Sequence, residues 1–156
     1  MDKKMSIMIV DDEAIVRESL FHWFKKYGHV VETASSGIEA LEKLEKYPFQ
    51  LLFVDIKMPG MNGIELLEKV KTQYPDTLVI IITAYGSIES AVSAMRIGAT
   101  DYLLKPFKPD QLSLVMERIS VQKRLVTQYN YLKGHLEKIT RFYNIIGQSS
   151  EMEKVF

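Results

Sequence analysis

The sequence LLFVDIKMP, residues 51–59, joins an apolar run to a single acid. Its first four residues are apolar and typical of strands, and the run is too short for a helix of its own, so it predicts a buried strand ending at Asp55. Open parallel sheets bind ligands beyond the carboxyl ends of their strands, which makes Asp55 a candidate functional residue. The alternative is an aspartate that merely begins a turn toward Met58, Pro59 and Gly60.

The composition is that of an ordinary globular protein, with one domain and an appendage. The chain has 156 residues, 47% hydrophobic and 26% charged, and its 20 basic residues balance 20 acidic ones, so net charge does not indicate nucleic-acid binding. The absence of cysteine excludes disulfides, thiolate metal sites and cysteine nucleophiles. We expect a cytoplasmic protein without membrane contact, since the sequence contains neither an apolar run of membrane-spanning length nor a signal-peptide pattern.

Apolar runs alternate with helical patterns along the first two thirds of the chain. The predicted strands are Ser6–Val10, Val30–Ala34, Leu51–Asp55, Leu78–Thr83 and Asp101–Leu104. The helical faces include Ile38, Leu41 and Leu44 in the second helix, and Ile88, Ala91, Val92 and Met95 in the fourth. This alternation predicts an α/β fold, in which a doubly wound parallel sheet of five strands has helices on both faces.

Polar residues follow four of these strands and should meet at one edge of the sheet. They are Asp11, Asp12, Asp55, Thr83 and Lys105. Three carboxylates in one cleft repel each other unless a cation joins them, and oxygen ligands without histidine or sulfur favour Mg²⁺ or Mn²⁺. A carboxylate beside a metal ion, an ammonium and a hydroxyl can accept a phosphoryl group. Taken singly, the two aspartates could cap a helix, the threonine could begin a turn, and the lysine could lie on the surface.

Four segments resemble the receiver domains of two-component response regulators, over residues 6–119. They are Asp-Asp-Glu after the first strand, DIKMPGMNG around Asp55, ITAYG at Thr83 and DYLLKPF at Lys105. The resemblance implies a flavodoxin-like strand order 2-1-3-4-5 and phosphorylation of Asp55 by a sensor histidine kinase. It implies a signalling domain and not an enzyme, although self-phosphorylation from small donors and self-dephosphorylation would be possible.

The same resemblance implies a role for each site residue. The implied Mg²⁺ ligands are Asp12, Asp55 and the backbone carbonyl of Lys57, with Asp11 helping partly through water. Thr83 and Lys105 would hold the phosphoryl oxygens, and Tyr102 would change rotamer together with Thr83. The response would reach the surface of the fourth helix, fifth strand and fifth helix.

The chain from about Pro109 carries a long helical pattern. Its apolar positions are spaced alternately by four and three residues, as in a coiled coil: Leu125, Tyr129, Leu132, Leu136, Ile139 and Tyr143. Because Arg118 and Gln122 precede them in the same pattern, the seam is polar at its start. We expect a homodimer held by this helix, and also through the surface of the fourth helix, fifth strand and fifth helix.

The last residues, 145–156, resemble the opening of the ATPase domain of NtrC-type activators of sigma-54 transcription. The expected organisation is a receiver domain at 1–120, a coiled-coil linker helix at 121–144, and the start of a truncated ATPase domain at 145–156. No GxxxxGK[ST] motif occurs, so ATP hydrolysis is not expected from this chain. DNA and sigma-54 RNA polymerase would be contacted only through domains outside it.

Three other interpretations compete with a receiver that controls a transcription activator. A stand-alone receiver would signal through protein contacts. A phosphatase with an aspartyl nucleophile would need a second acid two residues after Asp55, where Lys57 stands. A flavin-binding domain of similar topology would need a phosphate-binding loop after the first strand, where Asp11, Asp12 and Glu13 would repel phosphate.

Overall fold

The computed structural model describes residues 4–84 and 88–149. The elements alternate along the chain: β1 Ser6–Val10, α1 Ala14–Lys26, β2 Val30–Ala34, α2 Gly37–Lys46, β3 Leu51–Asp55, α3 Gly63–Gln73, β4 Leu78–Thr83, α4 Ile88–Ile97, β5 Asp101–Leu104 and α5 Pro109–Ser149. The chain divides into two compact units, Asp2–Leu112 and Ser113–Phe156.

The five strands form one parallel sheet in the order β2-β1-β3-β4-β5, which confirms the predicted fold class. β3 lies in the middle, where Phe53 is in register with Ile9 on one side and with Ile80 on the other. All five residues of β3 are buried, as expected for a strand whose two faces are both covered by helices. The register places Asp55 beside Ile82, one residue before the end of β4.

The core has an apolar layer on each face of the sheet. On one face, Phe24 of α1 packs against Phe53 of β3, with 5.1 Å between the ring centroids. The opposite face carries a larger cluster drawn from β1, β3, β4 and the helices α2, α3 and α4, including Met8, Leu66 and Ile81. Each large apolar side chain buried in this way contributes about 1.5–3 kcal/mol to stability.

Side chains of Ser36 and Asn62 define where α2 and α3 begin. Ser36 Oγ accepts from the Glu39 N–H at 3.1 Å. Asn62 Oδ1 accepts from the Glu65 N–H at 2.9 Å, and the Glu65 carboxylate accepts from the Asn62 N–H at 3.3 Å, which completes a capping box. The loop that follows Asp55 is therefore anchored at the first turn of α3.

Two predicted helical faces were wrong in part. In α2, Ile38 is exposed, and the buried positions are Gly37, Ala40 and Leu44. In α4, Val92 is exposed in the same way. Small residues occupy the most buried positions because they let a helix approach the sheet closely, which pushes large neighbours in the sequence outward.

Met95 of α4 is also exposed, whereas Ala94 is buried, so the predicted stripe of α4 is rotated by about one residue from the buried one. The side chain of Ile88, also in that predicted stripe, lies outside what the structure describes. Periodicity located α4 correctly but not the side that faces the core.

α5 is a helix of 41 residues that runs to Ser149, beyond the expected end near Tyr143. No proline interrupts this stretch, and the glycine at 134 remains inside the helix. Val115, Met116 and Ile119 are buried, whereas five later residues are 39–64% exposed: Leu125, Tyr129, Leu132, Leu136 and Ile139. We call these five residues the apolar seam. The side chain of Tyr143 and residues 150–156 lie outside the described part of the chain.

Among residues 4–84 and 88–149, no helix has both the length and the apolarity required to span a membrane.

Candidate metal and phosphoacceptor site

The chain turns sharply at Asp11, immediately after β1. Asp11 is fully buried, its N–H donates to the Ala34 carbonyl at 3.1 Å, and its Oδ1 accepts from the Glu13 N–H at 2.9 Å. Arg17 Nη1 donates to the Asp11 carbonyl at 2.7 Å. Asp12, in contrast, is exposed.

The helix-capping interpretation of these two aspartates was wrong. α1 begins at Ala14, and the residue in the N-cap position is Glu13, whose side chain makes no capping hydrogen bond. The Asp11 carboxylate instead accepts a hydrogen bond from the Glu13 N–H within the loop, and Asp12 is exposed to solvent.

Asp55 lies at the tip of β3 and is buried, with 4% of its surface exposed. Its carboxylate accepts a hydrogen bond from the Lys57 N–H. Such a bond to the residue two positions on is typical of an aspartate that begins a turn. The chain bends at Ile56, directly after β3, but a bend does not explain why a carboxylate is buried beside other acids.

Thr83 and Lys105 follow β4 and β5 at the same edge of the sheet. Thr83 is buried, and its carbonyl accepts from the Lys105 N–H at 2.8 Å. Tyr102 is in register with Ile81, so alternation along the strands puts its side chain on the same face of the sheet as that of Thr83. Tyr102 is 42% exposed.

The ammonium of Lys105 lies among three carboxylates. Its Nζ is 2.9 Å from Asp11 Oδ2, 3.2 Å from Glu13 Oε1 and 3.6 Å from Asp55 Oδ2. The contact with Asp11 is an ion pair. Since a buried ammonium is costly unless paired, these carboxylates hold Lys105 in place.

The electrostatics of the site favour a proton on Asp55 and on Lys105. Burial, and then repulsion from Asp11, raise the pKa of Asp55 to about 6, although Lys105 opposes the shift. Burial alone would lower the pKa of Lys105, but the neighbouring carboxylates outweigh it, and that pKa is raised. The site thus carries more negative charge than one ammonium compensates.

The chemistry of the donors fits a hard divalent cation. Asp11, Asp12, Glu13 and Asp55 each offer a carboxylate oxygen, and these oxygens all lie within 4.8 Å of one another. We call these four residues and Lys105 the carboxylate edge. A set made only of oxygen suits Mg²⁺.

The structure thus brings together the predicted residues Asp11, Asp12, Asp55 and Lys105. Thr83 follows Ile82, which is the residue of β4 in register with Asp55. Tyr85 and Gly86 of the ITAYG segment lie outside the described residues.

Two contacts were missed by sequence reasoning. Glu13 shares Lys105 with the buried acids, and Arg17 holds the carbonyl of Asp11. The acidic run Asp11-Asp12-Glu13 was a signal for the first. The contact between Arg17 and the Asp11 carbonyl was indicated in the sequence only by an arginine in the first turn of α1, close to the loop.

The model of the response regulator receiver domain matches residues 7–117, so the chain belongs to the response regulator receiver family. The transcriptional regulatory protein ZraR of Klebsiella oxytoca is 38% identical over 123 residues, which are 79% of this chain and 28% of that protein. The regulatory protein AtoC of Escherichia coli K12 is 34% identical over 146 residues, 94% of this chain and 32% of that protein. The chain thus spans less than a third of the length of either relative.

Solved structures agree with this assignment. NtrX from Brucella abortus is 38% identical with a TM-score of 0.74, covering 81% of this chain and 29% of that one. A CheY-like receiver domain protein from Methanospirillum hungatei is 36% identical with a TM-score of 0.73, covering 78% of this chain and 98% of that one. The expected receiver fold is confirmed, and so is the resemblance to NtrC-type regulators, since the relatives include NtrX, ZraR and AtoC.

Proposed function

We propose that this chain is a phosphorylation-controlled receiver in which Asp55 accepts a phosphoryl group from a sensor histidine kinase. The observation that carries the proposal is the burial of Asp55 beside Asp11, within reach of Lys105 and of the other oxygens of the carboxylate edge. Burying a carboxylate among acids costs stability, and a site that accepts a cation and a phosphoryl group gives that arrangement a use.

In the proposed reaction, a carboxylate oxygen of Asp55 attacks the phosphorus of the donor. An oxygen–phosphorus bond forms, and the bond to the donor nitrogen or oxygen breaks, leaving an acyl phosphate on Asp55. Lys105 supplies a positive charge to the phosphoryl oxygens, and Thr83 supplies a hydroxyl donor. Mg²⁺ would be held by Asp12, Asp55 and the backbone carbonyl of Lys57, with Asp11 partly through water, and when bound it would offset the charge of these acids.

The phosphoryl group is proposed to act as a switch through Thr83 and Tyr102. Drawing Thr83 toward Asp55 opens space on the face of the sheet that Tyr102 shares, and an exposed aromatic ring can turn into that space. NMR shift changes on adding beryllofluoride with Mg²⁺ should therefore include residues around Tyr102 on β5 and in α4. A response confined to the loops after β1 and β3 would contradict the switch.

The apolar seam is proposed to pair with the same seam of a second chain. Its residues keep the four-and-three spacing of a coiled coil, and a partner helix would remove them from water. The receiver would then control a downstream activator through this helix. We also propose a receiver at 1–120, a linker at 121–144 and an ATPase domain beginning near 145, on the resemblance of residues 145–156 described above, although α5 itself continues to Ser149. A location in the cytoplasm is proposed from the sequence patterns alone.

The alternative is a stand-alone receiver that acts through protein contacts. The relatives named above include proteins called transcriptional regulatory protein and regulatory protein, which favours the activator. Contacts with DNA and sigma-54 RNA polymerase would belong to domains outside this chain. The gene sequence beyond Phe156 separates the two possibilities directly.

Intact mass after incubation with acetyl phosphate tests the proposed function. Wild-type protein should gain one phosphoryl group with Mg²⁺ and none with EDTA, and Asp55→Asn should gain none. Asp76→Asn, an exposed aspartate before β4 at the opposite edge of the sheet, is the matched control and should label like wild type. Equal labelling of Asp55→Asn would refute the proposal. Binding of FMN would favour the flavin-binding class, and hydrolysis of a generic phosphate ester would favour the phosphatase.

A further inference from the structure

The first residue of α3, Gly63, lies directly against the backbone of the proposed phosphoacceptor. A β-carbon placed on Gly63 would be 2.3 Å from the carbonyl oxygen of Asp55, 2.8 Å from its carbonyl carbon and 2.7 Å from the α-carbon of Ile56. These distances are far below van der Waals contact. Because all three atoms belong to the backbone, no side-chain rotation could relieve the overlap.

Hydrogen bonds tie this contact to the residues of the site. The Gly63 N–H donates to the Ile56 carbonyl at 2.8 Å, and the Ile56 N–H donates to the Ile82 carbonyl of β4 at 3.0 Å. The next N–H, that of Lys57, donates to the Asp55 carboxylate. The segment Ile56–Lys57 is thus held by β4 on one side and by the start of α3 on the other.

The start of α3 is itself fixed. Asn62 and Glu65 form the capping box described above, so the helix cannot easily slide back to make room at Gly63. Other glycines differ: a β-carbon on Gly60 or Gly134 would have no atom of the described residues within 4 Å, and Gly60 has a positive φ of 75° whereas Gly63 does not. At Gly63 the requirement is space and not backbone conformation.

We propose that Gly63 is a positioning residue for the metal site and for Asp55, an inference that rests on the proposed function. Its missing side chain lets α3 begin against Asp55 and hold Ile56, and through Ile56 it fixes the backbone of Lys57. A methyl group at position 63 pushes the start of α3 away from β3, which loosens both the Lys57 carbonyl and the Lys57 N–H that binds the Asp55 carboxylate. The effect falls on Mg²⁺ binding first and on phosphoryl transfer through it.

The test compares Gly63→Ala with Gly134→Ala, whose added methyl meets open space inside α5. Calorimetric titration with MgCl₂ alone should show about 10- to 100-fold weaker affinity for Gly63→Ala, the range found when groups that orient metal ligands are removed. Gly134→Ala should bind Mg²⁺ like wild type. In labelling by acetyl phosphate, Gly63→Ala should need correspondingly more Mg²⁺ for half its maximal rate.

The outcomes separate this inference from the proposed function. If folded Gly63→Ala binds Mg²⁺ as tightly as wild type, Gly63 is only a packing residue and the inference is wrong, even where urea unfolding shows lower stability. If wild type is never labelled while Gly63→Ala still weakens Mg²⁺ binding, the proposed function fails and the positioning of the metal site stands.

A second variant serves if Gly63→Ala does not fold. Asn62→Ala removes the capping box without adding an atom near Asp55, so it loosens the start of α3 and should weaken Mg²⁺ binding severalfold. Unchanged Mg²⁺ affinity in Asn62→Ala would then overturn the inference.

Discussion

At the carboxylate edge of the sheet, charged side chains are buried, whereas along the apolar seam of α5, large apolar side chains are exposed. Each arrangement is costly alone, and under the proposed function each has a partner: a cation at the carboxylate edge and a second helix at the apolar seam. The two regions differ in how far their side chains are already held in place. At the edge, Asp11 and Asp55 are held by hydrogen bonds and an ion pair before any partner binds, whereas the seam is one face of a single helix.

The largest expected effect is at the seam. Leu132→Asp would put two carboxylates into a paired interface and remove two leucines from it, so we expect the dimer dissociation constant to rise about a hundredfold or more, roughly 3 kcal/mol. Tyr131→Asp, beside it but outside the seam, is the matched control. Sedimentation equilibrium gives both values.

A monomeric wild type at tens of micromolar, with and without beryllofluoride, would show that the seam is not a dimer interface. The carboxylate edge would then be the one region of the two that needs a binding partner.

A smaller effect is expected from neutralising Asp55, the proposed phosphoacceptor. The pKa of Asp55 is raised from 3.8 to about 6, so its favourable contribution to folding is present at low pH and is lost as the pH rises through about 6. At pH 7 without Mg²⁺, Asp55→Asn should therefore increase the free energy of unfolding by roughly 1–3 kcal/mol. Urea unfolding measures this, with Glu45→Gln, at an exposed position of α2, as the control.

Mg²⁺ should narrow the difference by stabilising the wild type more than Asp55→Asn. If Asp55→Asn is no more stable than wild type without Mg²⁺, the carboxylate edge does not carry the cost that the comparison assigns to it.

The smallest effect concerns the imidazole of His29, which is buried in its neutral form. His29 is buried, its Nδ1 accepts from the Met5 N–H at 3.0 Å, and its Nε2 has no partner among the residues that the structure describes. Burial lowers the pKa of His29, so the unfolded chain takes up its proton first. We expect stability to fall as the pH drops below about 6.5.

Urea unfolding between pH 7.5 and 5.5 should show this loss most clearly in the Asp55→Asn background, which removes the opposite trend of Asp55. His29→Asn keeps an acceptor for the Met5 N–H but does not titrate, so its stability should change less over this range. The same pH slope in His29→Asn would assign the loss to another group.

Sequence patterns predicted most of the fold because strands that are buried on both faces consist almost entirely of apolar residues. The runs ending at Val10, Asp55 and Thr83 are almost wholly apolar, and each ends where a strand ends. The exposure of Ile38 and Met95 was not predictable, since it depends on how closely small neighbours let a helix approach the sheet.

The candidate site was predictable as a set of residues but not as a set of contacts. The topology implied that Asp11, Asp55 and Lys105 meet. In contrast, the link between Glu13 and Lys105 and the contact of Gly63 with the backbone of Asp55 depend on loop geometry and on the start of α3. Distances of this kind leave no periodic pattern in a sequence.

The central claim, that Asp55 is the phosphoacceptor, is tested most directly by locating the phosphoryl group. Wild-type protein labelled by acetyl phosphate with Mg²⁺ is treated with borohydride, which reduces an acyl phosphate to an alcohol, and the digested peptides are sequenced by mass spectrometry. We expect the reduced residue at position 55, and none in a sample prepared with EDTA. A reduced residue at position 11 or 12, or labelling without any reduced aspartate, would contradict the account.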